Sequence, residues 1–257
     1  MRTLKDKRII VAGSATGIGA DTARRLAQEG ARVHLGDVNE SGAKAVAEEI
    51  RSTGGIATSG YYDLYDAESI ETLVTTAVEQ WDCGLDGLAN VAADVSPATA
   101  GQDLGLLAMD ISVWERTNRA NLIGTALMMK HAIPHLVSSG GGSIVNVTSG
   151  ATQYGEEIRV AYAASKAGIN SITRHVARTH GASGVRANAV SPGAILTETA
   201  LASFSEEMKA GILSTMPLSR HGRPDDIAGV IAFLLSDDTE WITGQVWSVN
   251  GGGVFRE

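Results

Sequence analysis

The chain has 257 residues, 44% apolar and 19% charged, with a formal net charge of −8. This composition supports one sizeable buried core, argues against disorder and, with no basic stripe visible, excludes a binder of nucleic-acid phosphates. A single cysteine, Cys83, excludes an internal disulfide and a thiolate zinc site.

Residues 8–12 (RIIVA) read as a strand, followed by a glycine-rich turn over 13–19. A helical pattern over 20–29 is stopped by Gly30, and 31–37 reads as a second strand. Such a strand–turn–helix–strand unit forces a right-handed parallel crossover. The alternation continues with a helix over 40–52, a short strand before Tyr62 and a helix over 66–80. A strand at 85–90 and one long helix over about 113–137 come next. Strands at 143–148, 185–190 and 245–249 and a helix over 160–180 complete the pattern. Seven strands alternating with helices predict an α/β fold, a doubly wound parallel sheet in one domain spanning 1–257. The irregular stretches 94–111 and 193–217 are long enough to be functional loops. Residues 1–7 are polar and no apolar run reaches membrane-spanning length, so no signal peptide or membrane contact is expected and a reducing cytoplasm suits the chain.

Gly13, Gly17 and Gly19 follow a strand and open a helix. Backbone without Cβ can approach a pyrophosphate closely, and a helix N-terminus offers free N–H groups with a positive dipole end. Asp37 stands about 20 residues on, at the end of the next strand, where its carboxylate can accept from a ribose diol and repel a 2′-phosphate. Ser14, Ala15 and Val38 supply no cation for such a phosphate, so NAD is expected rather than NADP.

Tyr162 and Lys166 are four apart in a helical pattern, which puts a phenol beside an ammonium. A nearby cation favours the phenolate and brings its pKa towards working pH, as an acid/base group requires. Thr148 and Ser149 both stand at the end of an apolar strand, where ligands bind in open parallel sheets, and spacing leaves the choice between them open.

With these residues together, the chain resembles the short-chain dehydrogenase/reductase family over nearly its whole length. Gly13-Ser14-Ala15-Thr16-Gly17-Ile18-Gly19 is similar to the family's cofactor turn, with Ala12 where a threonine is usual. Asp63-Leu64 resembles the segment that meets the adenine, and Asn90-Val91-Ala92-Ala93 stands where the family has Asn-Asn-Ala-Gly. Asn121, Ser149, Tyr162 and Lys166 resemble the family's catalytic tetrad, and Pro192, Gly193, Ile195 and Thr197 its nicotinamide segment. Arg220-His221-Gly222-Arg223-Pro224 and Asn250-Gly251-Gly252 resemble its late structural motifs.

The resemblance implies a single Rossmann-type domain with a seven-stranded parallel sheet. It implies hydride transfer between NAD(H) and a secondary alcohol or ketone, with Tyr162 as proton-transfer group and Ser149 orienting the substrate oxygen. Lys166 would bind nicotinamide ribose hydroxyls and lower the phenol, and Asn121 would hold a relay water. No metal is expected, and a homotetramer is the implied assembly, with the helices carrying Met128-Met129 and Tyr162 forming one contact. Two other readings stay open: a non-redox epimerase or dehydratase on the same fold, and an NAD-binding regulator without turnover.

Apolar residues at helical spacing over 199–213 suggest that 194–217 closes over the substrate as a lid, with Leu201, Phe204, Met208 and Ile212 as an apolar wall; packing on its own domain is the alternative. Gln153, Tyr154 and 94–97 are further candidate walls. Asp225-Asp226 is expected to cap a helix, and Trp81, Trp114, Trp241 and Trp247 to be packing residues.

Overall fold

Short apolar runs without polar alternation make strands that are buried on both faces, and here they set the architecture. The computed structural model describes residues 4–81, 84–203 and 205–255, so expectations placed on Cys83 and Phe204 lie outside the described residues. Strands β1 (Arg8–Ala12), β2 (Arg32–Asp37), β3 (Ile56–Tyr61), β4 (Gly87–Asn90), β5 (Gly142–Val147), β6 (Val185–Pro192) and β7 (Val246–Val249) form a seven-stranded sheet in the order β3-β2-β1-β4-β5-β6-β7. Every pairing is parallel, with Ala12 beside Gly36 on one side and Asn90 on the other. All of β4 is buried, and β7, at the edge, is not.

The connecting helices are α1 (Gly17–Gln28), α2 (Glu40–Ser52), α3 (Ala67–Gln80), α4 (Ile111–Thr117), α5 (Thr125–Ser138), α6 (Ala151–Tyr154), α7 (Val160–His180), α8 (Glu198–Ser203), α9 (Glu206–Ser214) and α10 (Pro224–Leu235). On one sheet face α1, α2 and α10 bury Leu26, Val46 and Ile231; on the other α3, α5 and α7 bury Ile70, Met128 and Val176. Met128 and Met129 thus belong to the protomer's own core. Asn39 and Asp66 cap α2 and α3, accepting from Gly42 N and Glu68 N. Asp226 accepts from Arg223 N at 2.8 Å and pairs with Arg220, the cap expected of the Asp225-Asp226 pair. No helix of the described residues is long and apolar enough to cross a membrane.

Three expectations need correction. The helix expected over 113–137 is broken: α4 passes into a π-helical stretch, Asn118–Gly124, before α5 begins. The wider turn carries Asn121, whose side chain is tied to another loop, and periodicity cannot register such an insertion. Helix α1 starts at Gly17 rather than 20, so the glycine turn is itself the helix N-terminus. Trp241 is 99% exposed and packs on nothing in the protomer, whereas Trp81 is buried and Trp247 lies edge-on to Phe233.

The chain runs β1 to β3 outward on one side and then returns to β4 beside β1. A crevice therefore opens at the carboxyl ends of β1 and β4, the place where open parallel sheets bind ligands.

Candidate active site

The turn after β1 is folded onto its neighbours by backbone alone. Gly13 N and Ser14 N donate to Gly36 O at 2.7 and 3.2 Å, and Val91 N and Ala92 N donate to Ala12 O at 2.9 and 2.8 Å. Gly13 has φ +88°, and a Cβ there would stand 2.5 Å from the Ala92 backbone; one on Gly19 would run into Gly13 O. Only glycine fits either place. Thr16, at the N-cap of α1, makes no side-chain cap bond, and no acidic residue lies in the first turn, which also holds Ile18. The chain itself therefore leaves this helix end without a side-chain acceptor, an arrangement that suits an anion such as a pyrophosphate.

Asp37, at the carboxyl end of β2, accepts from Ala15 N and Asn39 N, both at 2.9 Å, one bond per oxygen. Two lone-pair sites remain, enough for a diol. Asp63 accepts from Tyr65 N at 2.9 Å, and Leu64 beside it is buried. Asn90 turns away from the crevice: its Nδ2 donates to Asn146 Oδ1 at 2.8 Å, and Asn146 donates on to Thr173 on α7 at 2.9 Å. Its own Oδ1 is buried without a partner.

At the end of β5 the structure separates the two hydroxyl candidates. Thr148 Oγ1 donates to Val190 O at 3.2 Å and is buried. Ser149 Oγ accepts from Ala151 N at 3.1 Å and stands near enough to the Tyr162 phenol to favour its ionised form. Lys166 is almost wholly buried; its Nζ donates to Val147 O at 2.9 Å and lies 5.8 Å from the centre of the Tyr162 ring. Burial pulls the lysine down to about 8. Burial also raises the phenol above its usual value, against Ser149 and the Arg159 charge, which lower it, while Glu156 adds to the rise. The net depression expected from the sequence is therefore absent in the protein by itself, because desolvation outweighs Ser149 and the Arg159 charge.

Asn121, wholly buried, uses both ends of its amide on one residue: Oδ1 accepts from Asp94 N at 2.7 Å and Nδ2 donates to Asp94 O at 3.2 Å. The Asn121 side chain thus holds the loop after β4. Pro192 O accepts from Gly150 N, Gly193 N donates to Val249 O, and Ile195 bridges to Gly222, so 192–197 is laced across β5 and β7. A methyl of Thr197 lies 3.2 Å from where a Cβ on Gly17 would be, which brings this segment against the glycine turn.

The candidate walls fare differently. Gln153 Nε2 donates to Ser191 and Ser248 hydroxyls at 3.2 and 3.3 Å, bracing β6 and β7, while its Oε1 is buried without a partner. Tyr154 and Leu201 are about half exposed, and α9 buries none of its residues, with Met208 also half exposed. Among the described residues no cluster of three or more His, Cys, Asp or Glu could hold a metal.

Sequence reasoning missed Asp103, Glu156 and Arg159. Arg159 forms a two-pronged ion pair with Glu156 at 2.8 and 2.9 Å, and its guanidinium lies 5.6 Å from the Tyr162 ring centre. Asp103 reaches the same helix start from the loop after β4. The irregularity of 94–111 hinted at Asp103 alone.

Comparison with known proteins decides the family. A family model described as enoyl-(acyl carrier protein) reductase matches residues 12–253. A probable short-chain type dehydrogenase/reductase of Bradyrhizobium diazoefficiens is 37% identical over 252 residues, 98% of this chain and 89% of the relative. The chain belongs to the short-chain dehydrogenase/reductase family. Another member, cis-4-hydroxycyclohexanecarboxylate dehydrogenase of Sinomonas cyclohexanicum, is 38% identical over 243 residues, covering 95% and 94% of the two chains. A solved 7α-hydroxysteroid dehydrogenase, in complex with NADH and 7-oxo glycochenodeoxycholic acid, superposes with a TM-score of 0.92 at 30% identity over 98% of this chain and 96% of that one.

This family member is an oxidoreductase acting on an alcohol or ketone. Its departures from the usual motif are tolerated for a visible reason. Val91 N and Ala92 N both donate to Ala12 O, main-chain bonds that do not depend on the side chains replaced.

Proposed function

We propose that this chain is a dehydrogenase that uses NAD to oxidise, or NADH to form, a secondary alcohol carried on an apolar alicyclic ring. The observation that carries the reading is the convergence at the carboxyl end of β5 of Ser149, the Tyr162 phenol and the Lys166 ammonium, whose Nζ is fixed on Val147 O and lies 5.8 Å from the Tyr162 ring centre. NAD, when bound, supplies the two-electron acceptor for hydride. The glycine turn and the α1 N-terminus would take the pyrophosphate and Asp37 the ribose diol. Asp63 and Leu64 would flank the adenine, Asn90 would brace that side of the crevice from within the sheet, and 192–197 would hold the nicotinamide side. The Asp37 carboxylate disfavours a 2′-phosphate, which supports NAD over NADP.

In oxidation Tyr162 takes the hydroxyl proton of the substrate, and Ser149 donates to the same oxygen as charge develops there. Lys166, held at about 8, still carries its proton at neutral pH and keeps a positive charge near the Tyr162 phenolate that accepts that proton. Asn121 supports the site by fixing Asp94. The relatives favour a ring alcohol: one is named for a hydroxycyclohexane carboxylate and another for a hydroxysteroid. The half-exposed Leu201 and Met208 on a segment that buries little support a lid over an apolar body. A cytoplasmic homotetramer is the proposed state, supported by the exposed apolar side chains of Ile111, Ile123 and Trp241 and measurable by sedimentation.

The test is absorbance of reduced nicotinamide with cyclohexanols, hydroxysteroids and, in reverse, an enoyl thioester. Oxidation of ring alcohols with NAD supports the reading. Reduction of the enoyl double bond without alcohol oxidation would replace it.

A further inference from the structure

Helix α7 carries both Tyr162 and Lys166, yet its own sequence provides no conventional start. Arg159 occupies the N-cap with φ 62° and ψ 38°, a left-handed conformation, and its side chain makes no cap hydrogen bond. An N-cap normally sits in extended backbone so that its side chain can turn back onto the second or third helical amide. A bulky non-glycine residue in the left-handed region is strained and persists only where surroundings enforce it.

The enforcing group is Asp103. It is 2% exposed although it lies in the irregular loop between β4 and α4. Its carbonyl accepts from Arg159 N at 2.7 Å, which fixes the left-handed residue. Its carboxylate oxygens accept from Ala161 N at 3.0 Å and Tyr162 N at 2.8 Å, the amides a local cap would have satisfied. A negative charge at this helix end also complements the dipole. Tyr162 is thereby held at its amide by Asp103, while its phenol lies near Ser149.

We propose that Asp103 is a positioning residue for the reaction: a cap supplied from 59 residues away that sets where the Tyr162 phenol stands relative to Ser149 and the substrate oxygen. The proposal rests on Tyr162 being the proton-transfer group. It also ties the loop after β4 to the reacting centre, since Asn121 anchors one part of that loop at Asp94 and Asp103 anchors another at α7.

The test uses Asp103→Ala, which removes both carboxylate acceptors, and Asp103→Asn, which keeps the shape and one acceptor oxygen. Activity is measured well below each variant's unfolding midpoint, with the affinity for NADH measured separately by fluorescence titration. The expected result is a fall in kcat of about a hundredfold for alanine and about tenfold for asparagine, with NADH affinity within about twofold of wild type. The graded rescue by asparagine distinguishes positioning from loss of the fold. The proposal is overturned if the alanine variant keeps kcat within about twofold, or if NADH affinity falls in step with kcat. Hydrogen exchange at the first turn of α7 provides a readout independent of turnover. Faster exchange in the alanine variant supports the cap and unchanged exchange overturns it, whereas a wild-type protein that oxidises no alcohol would count against the dehydrogenase reading alone.

Discussion

Replacing Lys166 with methionine should make the protein more stable at neutral pH while stopping its chemistry. The side chain is 1% exposed, and burial lowers its pKa from 10.5 to about 8. That drop corresponds to a cost of about 3 kcal/mol for keeping the charge inside the fold. Methionine is of similar length, is uncharged, and loses a hydrogen bond to Val147 O worth about 1 kcal/mol. The net gain is about 2 kcal/mol at pH 7, read as a higher midpoint in denaturant unfolding without cofactor. Because the folded pKa is depressed, the cost of the charge is complete below about pH 8 and fades as pH rises towards 10.5. The advantage of the methionine variant must therefore shrink between about pH 8 and 10. A variant less stable than wild type at pH 7, or an advantage independent of pH, would refute the reasoning.

Tyr162→Phe keeps the ring and should leave NADH affinity within about twofold while lowering kcat by roughly 10²–10⁴, the usual range for lost acid/base catalysis; a near-wild-type rate would reassign the proton transfer. Ser149→Ala should lower kcat about 10²-fold, whereas Thr148→Val, which loses only a bond to Val190 O, should stay within about threefold; equal effects would mean the wrong hydroxyl has been chosen. Asp37→Ala should cut the NAD over NADP preference in kcat/KM by about tenfold or more through loss of repulsion and of the Ala15 anchor, and an unchanged ratio would remove Asp37 from the ribose site.

Much of the fold was legible because parallel strands buried on both faces, such as the residues of β1 and β5, stand out as apolar runs between helical patterns. The glycine turn and the Tyr162/Lys166 spacing are local, so the sequence displays them directly. Asp103 was not legible: its partners Ala161 and Tyr162 lie 58 and 59 residues further on, and an acid in an irregular stretch has no periodicity to mark it. Asn121 was found for its position but not its use, since the π-helical stretch and the tie to Asp94 are tertiary facts. The bracing role of Gln153 was hidden for a similar reason: its neighbours on β6 and β7, Ser191 and Ser248, are 38 and 95 residues distant. The raised phenol of the protein by itself was not legible, because neighbouring charge is visible in a sequence and desolvation is not.

The near-contact of Gly17 with Thr197 joins the first turn of the chain to a segment about 180 residues later. A dinucleotide lying in the groove they border would act as a staple between the two ends of the polypeptide. Occupancy would then report on global unfolding, and the melting temperature should climb with the logarithm of dinucleotide concentration once it exceeds the dissociation constant.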